Sequence, residues 1–232
     1  MAKYIPGIDI SRWQGAIKWP VVKKAGIQYT YIRALNGVTL DPLLEVNVAG
    51  AKKAGVPFGL YTWFRPEQDP IAQAKLIMKW HKSCGATLVP MVDVEDNQTG
   101  MRPIFVRRRL RKMVAEITRQ LGKPPTIYTA AWFWNKSVNS AEFTACPLWV
   151  ARYVHYSSAA YRADPIPVAP SLWAKYAMAR KQPAAVTGWG ENWSAWQFSA
   201  GYNACGKRYG MESSDLDLNI VKESEFNRFL CK

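Results

Sequence analysis

Two carboxylates one residue apart, Asp93 and Glu95, close the run Leu88-Val89-Pro90-Met91-Val92-Asp93-Val94-Glu95-Asp96. The run is apolar and rich in β-branched residues, so it predicts a buried strand over Leu88 to Glu95. Alternation along a strand turns Asp93 and Glu95 to one face and Val92 and Val94 to the other. Acids held side by side in apolar surroundings repel each other and resist desolvation. Both effects keep one of them protonated near neutrality. Such a pair can donate a proton from one member and stabilise developing positive charge with the other. Acids at a strand end that meets solvent would be inert. Weighing against that reading are Asp9, in Gly7-Ile8-Asp9-Ile10-Ser11, and Asp217, in Leu216-Asp217-Leu218-Asn219, which lie in or at other strand-like segments.

The elements that would position these acids alternate. Strands are predicted over Tyr4 to Ile10, Gln28 to Ala34, Val56 to Trp63, Leu88 to Glu95 and Thr126 to Thr129. Between them lie helices over Ile17 to Ala25, Leu43 to Ala54, Pro70 to Cys84 and Pro103 to Leu121, each followed by glycine (Gly26, Gly55, Gly85, Gly122). Helix, glycine, strand is the rhythm of parallel βα units. After residue 130 it changes: Leu148 to Ala151, Trp193 to Phe198 and Asp217 to Ile220 read as strands joined by Pro- and Gly-rich segments, with a short closing helix over Glu223 to Leu230. The expected fold is α/β, a single irregular TIM-like (β/α)5(β)3 barrel forming one catalytic domain over residues 1–232. No separate wall-binding module is expected.

In parallel barrels the reactive site lies at the C-terminal ends of the strands. Those ends carry Asp9, Arg33, Tyr61, Trp63, Asp93, Glu95, Tyr128, Trp149, Arg152, Trp196 and Gln197, with Asp217 in the last strand. Carboxylates and aromatic rings at one rim suit glycoside hydrolysis, because an acid must protonate the leaving oxygen and flat rings pack against sugar faces. Each residue also has a plainer reading. Asp9 and Asp217 suit turns or caps, the Tyr and Trp residues suit a core, and Arg152 suits a partner to a buried acid.

Composition sets the outer bounds. The 232 residues are 49% hydrophobic and 21% charged, ordinary for a globular chain, with 11 Trp and 11 Tyr. The net charge of +14 favours polyanions: nucleic acid, anionic lipid or an anionic wall polymer. The densest basic run, Arg107-Arg108-Arg109 with Arg111 and Lys112, lies among Ile104, Phe105, Leu110, Met113, Val114 and Ile117, a spacing that predicts a buried apolar stripe under a solvated basic face. No zinc-finger, RNA-recognition or phosphate-loop motif accompanies it. Cys84, Cys146, Cys205 and Cys231 form no Cys-x-x-Cys pair, and His81 and His155 are far apart, so no metal or cofactor is expected. The cysteines are expected to stay reduced, a Cys205–Cys231 disulfide being the open alternative after release to an oxidising exterior. No apolar run reaches the ~20 residues of a membrane span. The first residues lack the apolar stretch of a secretory signal, which predicts synthesis in the cytoplasm and action on a cell wall after release.

The chain resembles the glycoside hydrolase family 25 lysozymes, the Chalaropsis-type muramidases. The resemblance rests on Gly7-Ile8-Asp9-Ile10-Ser11 with Trp13-Gln14, Asp41-Pro42 with Asn47, Gly59-Leu60-Tyr61, Val92-Asp93-Val94-Glu95 and Ile127-Tyr128. It continues through Leu148-Trp149-Val150-Ala151-Arg152-Tyr153, Trp196-Gln197-Phe198 and Leu216-Asp217-Leu218-Asn219. The pieces run in order from Ile5 to about Phe226. The family implies cleavage of the β-1,4 bond between N-acetylmuramic acid and N-acetylglucosamine in peptidoglycan. It implies Glu95 as general acid, Asp93 holding the substrate N-acetyl group or stabilising charge, and Asp9 and Asp217 completing an acidic floor. Tyr61, Trp63, Tyr128, Trp149, Arg33, Trp196 and Gln197 are the expected substrate contacts. The sequence departs from the family pattern at Arg33, where Lys is usual, at Asn36, usually an acid, and at Thr62, usually His.

The first expectation is therefore a monomeric muramidase of the phage or prophage endolysin kind, acting on the glycan strand and drawn to an anionic wall by its charge. A non-catalytic glycan-binding protein on the same barrel is the alternative, opposed by the four intact acids. A basic nucleic-acid-binding protein ranks last and would show steep, glycan-independent salt dependence.

Overall fold

Strands apolar on both faces need cover on both, and a barrel supplies it with side chains inside and helices outside. The second strand, Tyr29–Asn36, is the clearest case, buried at every position but its last. The computed structural model describes residues 3–200 and 205–231. In chain order its main elements are β1 (Tyr4–Ile10), α1 (Trp19–Lys24), β2 (Tyr29–Asn36), β3 (Thr39–Leu40), α2 (Leu44–Ala54), β4 (Phe58–Trp63), α3 (Pro70–Cys84) and β5 (Met91–Asp93). There follow α4 (Pro103–Leu121), β6 (Thr126–Ala130), α5 (Ala131–Ser137), β7 (Leu148–Ala151), α6 (Ser158–Ala163), α7 (Trp173–Met178), β8 (Ala195–Ser199) and β9 (Asp217–Lys222).

The sheet runs β1-β9-β8-β7-β6-β5-β4-β2, and a β1–β2 pairing closes it into an eight-stranded barrel, with β3 an added hairpin strand on β2. Every neighbouring pair from β1 through β2, β4, β5, β6 and β7 to β8 is parallel, whereas β9 is antiparallel to both β8 and β1. Five βα units and three further strands make the fold the irregular (β/α)5(β)3 barrel that the sequence predicts. Helices α2, α3 and α4 end on Gly55, Gly85 and Gly122.

Aromatic rings fill the barrel's interior. Tyr29, Tyr31, Tyr128 and Trp149 pack edge to face, with Tyr31 and Trp149 centroids 5.1 Å apart. Two glycines make room for them. A Cβ on Gly7 would lie 2.2 Å from the Tyr29 ring, and one on Gly59 would lie 2.4 Å from Tyr31. The far end is plugged by the C-terminal segment, a 3₁₀ turn over Glu223–Arg228 rather than the expected helix. Its Phe226 packs on Tyr29, and Phe229 packs on Trp149.

Two further expectations need correction. The ladder of β5 covers only Met91–Asp93, not Leu88 to Glu95, because Leu88 bridges to Leu230 and the Val89 N–H donates to the Phe229 carbonyl, away from the neighbouring strands. The buried stripe of α4 is Val106, Leu110, Met113 and Ile117, at four-three-four spacing; Ile104 and Phe105 fall outside it and are exposed by 48% and 46%. Among the described residues the cysteines form no disulfide, so the open alternative of a Cys205–Cys231 bond is not made: Cys205 Sγ faces Tyr161 Oη at 3.2 Å, and Cys231 Sγ faces His81 Nε2 at 3.6 Å. No helix among the described residues is long and apolar enough to cross a membrane.

Candidate active site

Because β9 runs against its neighbours, its N-terminal end meets the C-terminal ends of the other strands. Asp217, the first residue of β9, is thereby the direct register partner of Asp9 on β1. Two acids so opposed repel unless they share a proton. They are joined by a side-chain hydrogen bond, and burial together with the Asp9 charge holds the Asp217 carboxyl well above the usual carboxylate range. A proton shared between the two carboxyls relieves that repulsion. Burial also raises Asp9, opposed by hydrogen bonds from Gln197, Asn219 and Asp217.

Those bonds belong to a chain of fixed polarity. Tyr128 Oη donates to Gln197 Oε1 at 2.7 Å, which turns the Gln197 amide nitrogen to Asp9 Oδ2 at 3.0 Å. Trp149 Nε1 donates to Asn219 Oδ1 at 3.2 Å, and Asn219 Nδ2 donates to the same Asp9 oxygen at 2.7 Å. Asp9 is thus held as an oriented acceptor on the cleft floor.

Asp93 ends β5, where its backbone carbonyl accepts from the Phe64 N–H at 2.9 Å. Burial first, then the charges of Glu95 and Asp9, push its carboxyl well above the usual range, with Arg33 opposing. Its Oδ1 is buried without a hydrogen-bond partner, as is Trp63 Nε1 in the wall of the same cleft. A buried acceptor and a buried donor without partners, on two residues that line one cleft, are costly alone, and a substrate carrying both an N–H and a carbonyl could satisfy them.

Glu95 lies two residues beyond β5, yet its backbone does not wander. Val94 N–H donates to the Tyr128 carbonyl at 2.8 Å, and the Val94 carbonyl accepts from Thr129 Oγ1 at 2.7 Å. On its other side Asp96 is ion-paired with Arg65, whose Nε donates to Asn36 Oδ1 at 2.7 Å and whose guanidinium lies over the Trp63 ring. Burial, then the charges of Asp9 and Asp96, raise Glu95 from the usual 4.5 to about 7. Near neutrality this carboxyl can both give and take a proton.

The acids surround a cavity of about 140 Å³. It brings together Asp9, Asp93, Glu95, Asp217, Tyr61, Trp63, Tyr128, Arg33 and Gln197 from the predicted set. Two predicted substrate contacts do not reach it. Trp196 is fully buried and packs outward among Trp193 and Phe198, with Nε1 on the Arg152 carbonyl; adjacent residues of a strand face opposite ways, so Gln197 facing in puts Trp196 out. Trp149 points inward but sits below the rim, fully buried, where it supports Asn219. Arg33 lines the cleft, but its Nε is engaged by buried Asp41 at 2.8 Å. Arg152, whose Nε donates to the Lys181 carbonyl at 3.1 Å, pairs with no acid among the described residues.

Five further lining residues, Ser11, Trp13, Gln14, Met91 and Tyr153, lie within the quoted segments but are not among the predicted site residues. Tyr153 ends the quoted Leu148-to-Tyr153 segment, and Asn219 lies two residues from Asp217 on the same strand face, so both were within reach of alternation. Beyond Glu95 the groove continues into a second cavity of about 280 Å³ walled by Trp132, Arg152, Tyr153 and Tyr156. Trp132 and Tyr156 are exposed by 71% and 69%. Glu95 lines both cavities and so stands between two binding spaces, where the acid of a glycosidase must stand. Among the described residues no group of three or more His, Cys, Asp or Glu side chains is arranged to hold a metal ion.

The chain is similar to known proteins. Lysozyme M1 of Streptomyces globisporus is 29% identical over 228 residues, 93% of this chain and 67% of that protein. Other curated relatives are matched over little more than half of their own length. A bacterial lysozyme structure from Streptomyces coelicolor superposes with TM-score 0.71 at 26% identity, covering 96% of this chain and 94% of that one. The catalytic domain of endolysin ply40 from bacteriophage P40 of Listeria monocytogenes has the same fold, with TM-score 0.70 at 21% identity over 98% and 97% of the two chains. Residues 8–207, which hold Asp9, Asp93 and Glu95, match Glycosyl hydrolases family 25, and the chain belongs to that family.

Proposed function

We propose that this chain is a muramidase that cleaves the β-1,4 bond between N-acetylmuramic acid and N-acetylglucosamine in peptidoglycan. The observation that carries the reading is Glu95, raised to about 7 at the junction of two cavities, beside an Asp93 with an unsatisfied buried oxygen. The muramic acid ring occupies the acidic cavity, with its N-acetyl group between Asp93 and Trp63 Nε1. The N-acetylglucosamine leaving group lies on the Trp132 side. Protonated Glu95 gives its proton to the glycosidic oxygen as the C1–O bond breaks. The positive charge that develops at C1 and the ring oxygen faces Asp9, whose charge is oriented by Gln197 and Asn219. Water adds to C1 and releases one proton, so the number of bound protons is restored.

A phage endolysin setting fits this activity, with the enzyme reaching the wall after release from the host cytoplasm. The net charge of +14 supports attraction to an anionic wall. The test is to incubate purified peptidoglycan with the wild type and with Glu95→Gln and to identify the new reducing ends. Muramic acid ends from the wild type alone are expected. Glucosamine ends, or equal release by the variant, would refute the assignment.

A further inference from the structure

Two further cavities neighbour the catalytic one, each sharing a lining residue with the next. The catalytic cavity shares Arg33 with a second cavity of about 330 Å³, walled also by Arg12 and Arg65. That one shares Glu67 with a third, of about 450 Å³, between the β4–α3 loop and the N-terminal half of α4. The loop side of the third presents Glu67 and Asp69; the helix side presents Phe105, Arg108, Arg109 and Lys112. Arg109 Nη1 donates to the Gln68 carbonyl at 3.0 Å and ties the two walls together. Asp69 is engaged as the cap of α3, accepting from the Ile71 N–H at 2.9 Å. Arg108 and Lys112 are exposed and enter no ion pair among the described residues.

A pocket with two available cations, one available acid and an aromatic ring is complementary to a ligand bearing carboxylates and a free amine. The substrate carries such a group. Muramic acid bears on its lactyl carbon a short peptide with several carboxylates and, at its diamino acid, an amine. We propose that the series of cavities holds this stem peptide, with Arg108 and Lys112 receiving its carboxylates and Glu67 its amine. The inference rests on the muramidase reading and assigns that enzyme a preference for peptide-bearing glycan. Reach is consistent. Glu67 is four residues from Trp63 in the catalytic wall, which bounds their separation at about 14 Å, and an extended stem of four or five residues spans about 14–18 Å.

The test compares kcat/KM on intact peptidoglycan with kcat/KM on the same glycan stripped of its stems by an amidase. The wild type is expected to favour the intact polymer. In the double variant Arg108→Gln/Lys112→Gln the intact-to-stripped ratio is expected to fall about fivefold, the scale of two exposed charge pairs. Glu67→Gln lowers the ratio as well, and acetylating the amines of the peptidoglycan brings the wild type to the level of Glu67→Gln. A wild type that cleaves both polymers equally well overturns the inference and leaves the muramidase reading standing. So does a double variant whose ratio matches the wild type, including one that loses activity equally on both polymers. No new reducing ends from either polymer would overturn both readings.

Discussion

Replacing Glu95 by Gln separates the two consequences of burying an acid. Glu95 ionises at about 7 in the folded chain against 4.5 when unperturbed, because burial and the charges of Asp9 and Asp96 disfavour the anion. At 1.36 kcal/mol for each tenfold change in proton affinity, ionised Glu95 costs the fold about 3 kcal/mol. The sign follows from the direction. A group whose folded pKa is raised supports the fold below its unfolded pKa, and that support is lost as pH climbs through the folded value. Stability attributable to Glu95 therefore declines between about pH 4.5 and pH 7 and stays low above. Gln is neutral throughout and nearly isosteric. The variant should match the wild type near pH 4 and exceed it by about 3 kcal/mol at pH 8, or roughly 6–12 °C in melting temperature for a chain of this size.

Activity should move the opposite way. Gln cannot donate a proton, and general acid catalysis contributes roughly 10²–10⁴-fold, so muramidase activity should fall by that factor. Thermal unfolding followed by circular dichroism at pH 4 and pH 8, with a reducing-end assay beside it, measures both. If the variant gained nothing at pH 8, the Glu95 anion would not be strained in the fold. The argument from burial and neighbouring charge would then fail, whatever the loss of activity.

Other expectations are simpler to check. Wild-type kcat/KM should fall tenfold per pH unit above about pH 7, since Glu95 must enter protonated, and a profile flat to pH 9 would contradict this. Trp63→Phe keeps a ring but deletes the unpartnered Nε1 donor; kcat/KM should drop about tenfold with unchanged melting temperature, and an unaltered kcat/KM would free that donor from substrate contact. Arg33→Ala leaves Asp41 buried without its guanidinium and should cost about 3 kcal/mol in denaturant unfolding, whereas a purely substrate-facing Arg33 would leave stability unchanged. Gly7→Ala drives a methyl into the Tyr29 ring and should cost about 1–3 kcal/mol, read as a lowered denaturation midpoint; an unchanged midpoint would mean the barrel interior has slack.

How far the sequence reaches depends on whether a feature is local. The βα rhythm up to Thr126 is local: α2, α3 and α4 each close on a glycine and the strands that follow are largely buried, so elements and order are legible. Helix α5 is not. It starts at Ala131 with no side-chain cap, and its aromatic run Trp132-Phe133-Trp134 suits a strand equally well. The 3₁₀ plug at the C-terminus and helices α6 and α7 are short and are specified by packing against the barrel, which no short window of sequence contains. Facing direction lies between these cases. Trp196 beside Gln197 could not share its side, so one of the two predicted contacts was excluded by alternation alone; choosing which one needs the Asp9 hydrogen bond, and that partner is 188 residues away. Asp217 marks the limit most sharply. At the start of its strand it would lie on the wrong rim of an all-parallel barrel, and only the reversal of β9 carries it opposite Asp9. Shared protonation of that pair, and through it the negative charge aimed at the reacting sugar, is thus a property of strand direction that the residues Asp9 and Asp217 do not themselves encode.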